Sequence, residues 1–415
     1  MKNPYSRAWI PPYALIFAQF AHGASWALVL WAAWSGNLQN PMYGLAWVHT
    51  AALGWITMAA LAILTFALPN FIDARWRGLT LARRTLALFG IGVVLLVYAF
   101  LNDAALLWIA GTILAAALLV YLGTAFATAA AGMRGERVQR AVARAFGGTF
   151  LFLLATALLG LGLAFMLSGK SVAPWIAASA PAHANLGTLG WLTLLVFGVS
   201  MRTLRPIAGN GTRFRWMHIA VGSLALLGIP LLAAGTAAHI QILAWIGGAF
   251  FAVAAGGYAF DVLDILRRAT VAHRPPQAFV GAAICWLLIV LALGAGVLQG
   301  RPWQSAYAFA LLAGWIGQMV NAHIHHIGIR LLSTIYRGED DETPPGELLE
   351  ARFSWFSFFA FQIAVAIVTA ALIRSDAGLA ARGAVFGLAA WTAMAANIFA
   401  ARLRAKSYSA ARPIE

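Results

Sequence analysis

The chain has 415 residues, of which 62% are hydrophobic and only 10% charged. Soluble proteins carry about 25% charged residues, and apolar runs of about 18 or more recur here from end to end, so a water-soluble globular fold is excluded. The net charge of +15 would suit a nucleic-acid partner, but the positions of the charges remove that reading.

The predicted fold is an all-α polytopic membrane protein with about 12 transmembrane helices, one integral domain over 1–415. Spans are expected at 10–33, 44–69, 85–102, 104–132, 146–168, 182–205, 215–236, 239–266, 277–298, 304–334, 353–373 and 382–402. The first apolar run has no small-residue cleavage site behind it and is taken as span 1, not as a signal peptide. Lys170, Arg301, Arg374 and Arg382 fall on one side of this arrangement, and all the other Lys and Arg residues on the opposite side. The positive-inside rule then places both termini in the cytoplasm, in a bacterial inner membrane. The lipid bilayer is the expected partner, and the basic excess is a topology signal. The polar stretch 336–352, YRGEDDETPPGELLEAR, reads as a solvated cytoplasmic loop. The single cysteine, Cys285, lies in an apolar run and rules out an internal disulfide.

Taken in chain order, the spans show a repeat. Span 2 contains HTAALGW (49–55), span 6 contains HANLGTLGW (183–191) and span 10 contains LLAGW (311–315). The pairs Gly54-Trp55, Gly190-Trp191 and Gly314-Trp315 recur in every fourth helix, and all three helices run in the same direction. A pseudo-threefold repeat of four-helix units is expected, since internal repeats are common in membrane proteins.

Ionisable side chains inside a membrane are costly and point to function. No carboxylate falls in the middle of any predicted span, and Asp261 and Asp264 fall near the cytoplasmic end of span 8. The nine histidines divide by depth. His22, His49, His183 and His239 fall in the outer half and can converge on one site. His218, His273, His323, His325 and His326 belong to the cytoplasmic side. His323 and His326, at i and i+3, share a face of an α-helix and can ligate a metal or a haem iron; His325 points away and completes the cluster. The other reading of the cluster is an interfacial anchor beside Arg330. Neutral imidazole ligates haem iron, copper and zinc without bringing charge into the bilayer.

WVHTAALGWITMAALAILTFALPNF (47–71) and PAHANLGTLGW (181–191) resemble the helices 2 and 6 of the haem-copper oxidase and nitric oxide reductase catalytic subunits. The same pieces are similar to the NnrS proteins, haem- and copper-containing membrane proteins tied to nitric oxide. The resemblance implies that His49 is a haem axial ligand, with His22 or a span 10 residue as its partner. It implies that His183 and His239 hold copper or another second metal. Span 10 departs from the pattern, with Tyr307 and Phe309 where that family carries histidines. The function implied is a haem-containing oxidoreductase that handles a diatomic gas, nitric oxide before oxygen, or relays electrons from a quinol or an electron-donor protein. The alternative is a cofactor-free transporter or an assembly subunit.

Overall fold

The computed structural model describes residues 11–135, 137–338 and 343–411. The chain is 86% helical, with no strand among the described residues. Eleven of its helices are long and apolar enough to cross a membrane. The twelfth is helical over its whole length, but Gln318, Asn321 and three histidines dilute its hydropathy.

The first helix, α1 (Pro12–Trp34), opens with a proline, tolerated there because the first N–H groups of a helix have no internal partner. The second, α2, is a continuous rod made of Pro41–His49, a π-helical stretch Thr50–Thr57, and Met58–Ile72. Then come α3 (Leu79–Asn102), α4 (Leu107–Gly132) and α5 (Arg137–Leu167). The next, α6, repeats the construction of α2: Ala180–Asn185, π-helical Leu186–Thr193, and Leu194–Ala208. It is followed by α7 (Arg215–Ala237), α8 (Gln241–Arg267) and α9 (Pro275–Leu298). In α10, Gln304–Phe309 leads into π-helical Ala310–Gly317, then Gln318–His323, a second π-helical stretch Ile324–Gly328, and Ile329–Arg337. The bundle ends with α11 (Ala351–Arg374) and α12 (Ala377–Ala411). It closes where α12 packs on α1, with Trp391 Nε1–H donating to the Gln19 carbonyl at 2.8 Å.

The repeat seen in the sequence is a structural one. Each long π-helical stretch holds its Gly-Trp pair at the fifth and sixth positions, and Trp55, Trp191 and Trp315 are all fully buried. These tryptophans stitch the three inner helices together in cyclic order. Trp191 Nε1–H donates to Thr57 Oγ1 on α2 at 3.0 Å, and Trp315 Nε1–H donates to Thr193 Oγ1 on α6 at 3.2 Å. Both threonines are the eighth residue of their stretch. Interhelical bonds of this kind contribute about 0.6 kcal/mol each in a membrane.

The third link is different. The eighth residue of the α10 stretch is Gly317, which has no hydroxyl. The Trp55 ring lies over this glycine: a Cβ added there would sit 2.7 Å from Trp55 Cη2 and 2.9 Å from the Leu312 carbonyl oxygen. Trp55 Nε1 is left without a hydrogen-bond partner, and its ring stacks on His22 at 3.7 Å with only 3° between planes. Restoring a threonine therefore does not complete the ring. Gly317→Thr is expected to push Trp55 off His22 and to cost about 1–3 kcal/mol as an overpacked core. Thr57→Val, which removes one link without adding bulk, is expected to cost well under half of that. Thermal denaturation of the two variants side by side checks the order.

The end of the bundle at which α1 begins and α12 ends, where most of the arginines lie, is the basic end. The connection expected there as a solvated loop is packed in its second half; residues 339–342 lie outside the described residues. Leu348 and Leu349 are buried with Ile329 and Ala401 in a small cluster of their own. Asn397 of α12 accepts from the Glu350 N–H at 2.8 Å and donates to the Glu350 carbonyl at 3.1 Å, while Arg404 pairs with the Glu350 carboxylate. The acidic residue that looked like solvated charge is a fastener between the α10–α11 connection and α12.

Candidate metal centre

His49 ends the first α-helical segment of α2 and His183 lies in the corresponding segment of α6, both toward the end of the bundle opposite the arginines. The fold brings their rings together: the centroids are 6.2 Å apart and the planes differ by 20°. His49 Nδ1 is 2.8 Å from the Leu45 carbonyl oxygen, one turn back on its own helix. His183 Nδ1 is 3.0 Å from the Thr156 carbonyl oxygen on α5. A carbonyl only accepts, so both protons sit on Nδ1 and both Nε2 atoms present a lone pair. Metal-ligating histidines are oriented in this way, the second nitrogen tied to a carbonyl that fixes the tautomer and raises ligand basicity. Neither Nε2 has a hydrogen-bond partner among the described residues, and both rings are half-buried.

Two neighbours fix the rings in place. The Phe100 ring lies 5.1 Å from that of His49. On α5, a Cβ at Gly160 would meet His183 Cε1 at 2.8 Å, so only glycine lets the imidazole lie flat against that helix. Centroids 6.2 Å apart put both imidazoles within reach of one ion, since a metal-bound imidazole nitrogen lies about 2.0–2.1 Å from the metal. Among the described residues no group of three or more His, Cys, Asp or Glu is arranged to hold a metal. The donor set is thus two imidazoles. A bare copper or zinc ion usually asks the protein for three or four ligands, whereas a haem iron brings four nitrogens of its own and needs only axial ligands.

The other histidines do not join this pair. His22, expected as a partner for His49, is buried against Trp55 and accepts from Trp26 Nε1–H at 3.3 Å. His239, expected beside His183, is exposed in the turn between α7 and α8 with a left-handed backbone, φ 59°.

At the basic end His326 lies within electrostatic reach of both His323 and His273, while the ring nitrogens of His323 and His325 bond elsewhere. The face-sharing of His323 and His326 presumes an α-helix, but Ile324–Gly328 is π-helical, which shifts the phase of every later side chain. His323 spends both ring nitrogens within the protein, Nδ1 on the Met319 carbonyl and Nε2 on Thr203 Oγ1 of α6, each at 2.6 Å. His325 bonds the Asn321 carbonyl at 2.9 Å and packs on Phe279 of α9. His326 is buried, and His273, from the α8–α9 loop, lies within electrostatic reach of His325 and His326. His273 Nε2 has no partner, and burial holds its pKa below the ordinary histidine value. Gly346 of the packed loop sits against the His273 ring. These contacts knit α6, α9, α10 and the loops together at the basic end.

The anchoring carbonyls and Gly160 escape a sequence reading, since any residue supplies a carbonyl. The Trp–Thr links are legible: LGWIT and LGWLT carry the threonine, and AGWIG does not. No family model matches the chain, and no characterised protein matches it.

Proposed function

We propose that this protein is a haem-binding electron relay of a bacterial cytoplasmic membrane, in which His49 and His183 would hold one haem iron. The observation that carries the reading is the apposed pair itself: two imidazoles from different helices, each with its Nδ1 proton anchored and its Nε2 lone pair free. When bound, the haem supplies an iron that changes charge by one electron. His49 and His183 hold and orient it, and the carbonyls of Leu45 and Thr156 keep both histidines in the ligating tautomer. Phe100 of α3 packs beside the His49 ring.

With both His49 and His183 engaged, the group would supply electron transfer rather than direct chemistry on nitric oxide or oxygen. Electrons would come from a quinol or an electron-donor protein. With the arginines on the cytoplasmic side, the pair lies toward the periplasmic surface. A second metal on His183 is disfavoured, because one lone pair serves one metal.

The test is the absorption spectrum of the protein purified from haem-replete cells, with haem counted by the pyridine haemochrome assay. The expected result is a Soret band and about one haem per chain. A colourless, well-folded protein would instead favour a cofactor-free transporter or assembly subunit.

A further inference from the structure

A second polar site lies at the basic end, between α6, α7 and α8. Asp261 is the one buried carboxylate among the described residues, 5% exposed. Thr212, in the α6–α7 loop, donates its hydroxyl to Asp261 Oδ1 at 2.6 Å, and His218 of α7 places Nε2 3.0 Å from Oδ2. One turn deeper on α8, Tyr258 OH donates to Ser200 Oγ of α6 at 2.9 Å, and both residues are buried. All five side chains line one cavity. Its interior is about 10 Å³, room for one water-sized particle and too little for an organic substrate.

Asp261 has one titratable neighbour on the cavity wall, His218. Asp261 accepts from a neutral hydroxyl and from an imidazole that need only share an N–H to make its bond. Arg268, a basic residue two turns further along α8, is committed to the Asp264 carboxylate and the Gly211 carbonyl. A carboxylate at this depth costs several kcal/mol unless a positive charge accompanies it. The polar groups on the cavity wall are a carboxylate, an imidazole and three hydroxyls, set among apolar neighbours such as Leu204, Val221 and Ile265. Oxygen ligands select hard cations, and a single carboxylate balances a single positive charge.

We propose that this cavity is a binding site for one small monovalent cation, sodium in the first instance, held by Asp261 with Thr212, Ser200 and Tyr258. The proposal stands independently of the haem reading, since the cavity shares no residue with the His49–His183 pair. Holding α6, α7 and α8 around one ion would make the packing at the basic end salt-specific.

The experiment is thermal denaturation of the purified full-length protein in sodium chloride against choline chloride at equal ionic strength. Choline carries the same charge but is too large for the cavity. The expected result is a Tm higher by about 2 °C or more in sodium, an increment lost in Asp261→Asn. Should Asp261→Asn fail to fold, Ser200→Ala keeps the carboxylate and removes one oxygen. It should raise the half-saturating sodium concentration about tenfold, with the increment read against the variant's own Tm in choline. Equal Tm values in the two salts would overturn the proposal, as would a sodium increment that survives Asp261→Asn or is unaltered by Ser200→Ala. Equal values would mean that His218 carries the compensating charge.

Discussion

His183→Ala is expected to insert and fold as the parent protein does and to lose haem by at least about tenfold, with the residual haem high-spin. Second-sphere changes at metal sites already cost 10–100-fold in affinity, and this change removes a ligand outright. His49→Ala should do the same, because neither imidazole has a neighbouring replacement: Phe100 flanks one and Gly160 the other. Added imidazole should restore part of the low-spin spectrum in either variant, since deleting the ring leaves space for it. Gly160→Leu is expected to mimic His183→Ala without touching a ligand, because a side chain there occupies the place of the His183 ring. His22→Ala and His239→Ala should leave the haem spectrum intact; a spectrum that follows His22 instead would move the centre to the Trp55 side of α2.

Gly247→Leu is expected to leave little or no folded protein. At this position α8 meets α7 backbone to backbone: a Cβ would collide with the Leu232 amide nitrogen and stand 2.7 Å from the Gly228 carbonyl oxygen. Gly228 and Gly235 make the reciprocal contacts from α7, so neither helix has a flexible side chain that can yield. Small residues let membrane helices approach this closely, and packing rather than hydrophobic burial drives their association. Separating the pair forfeits its contacts along the whole seam, a loss of about 3 kcal/mol or more. Gly198→Ala on α6 is the control. Nothing lies within 4 Å of its added Cβ, and replacing an open helical glycine with alanine should be neutral or stabilising by up to about 1 kcal/mol. Yield after detergent extraction and Tm would separate the two outcomes.

The helical layout was legible because long apolar runs report directly on a membrane's thickness. The Gly-Trp repeat was legible too, and it marks the three π-helical stretches at which the inner helices meet. The histidine cluster at 323–326 was the most conspicuous motif, and in the structure His323 and His325 spend ring nitrogens on protein partners. Its spacing was interpreted with an α-helical period that the π-helical Ile324–Gly328 does not follow. His22 was expected beside His49, but its ring turns to Trp55 and Trp26, a direction around the helix that sequence does not give. The meeting of His49 with His183 required the neighbouring helices to be placed first. So did the burial of Asp261, which by sequence sits near a helix end and by structure is covered by α6 and α7. The packed half of the α10–α11 connection was missed because charge reads as solvation until its partners, Asn397 and Arg404, are known.

The central claim is that two histidines from α2 and α6 share one haem iron. Near-infrared magnetic circular dichroism of the oxidised, purified protein reports axial ligands directly, because its charge-transfer band depends on what occupies the two positions. The account predicts the signature of low-spin iron with two imidazoles in the parent protein, lost in both His49→Ala and His183→Ala. A haem with one histidine and an open or different second position, or a spectrum that survives either substitution, would contradict it.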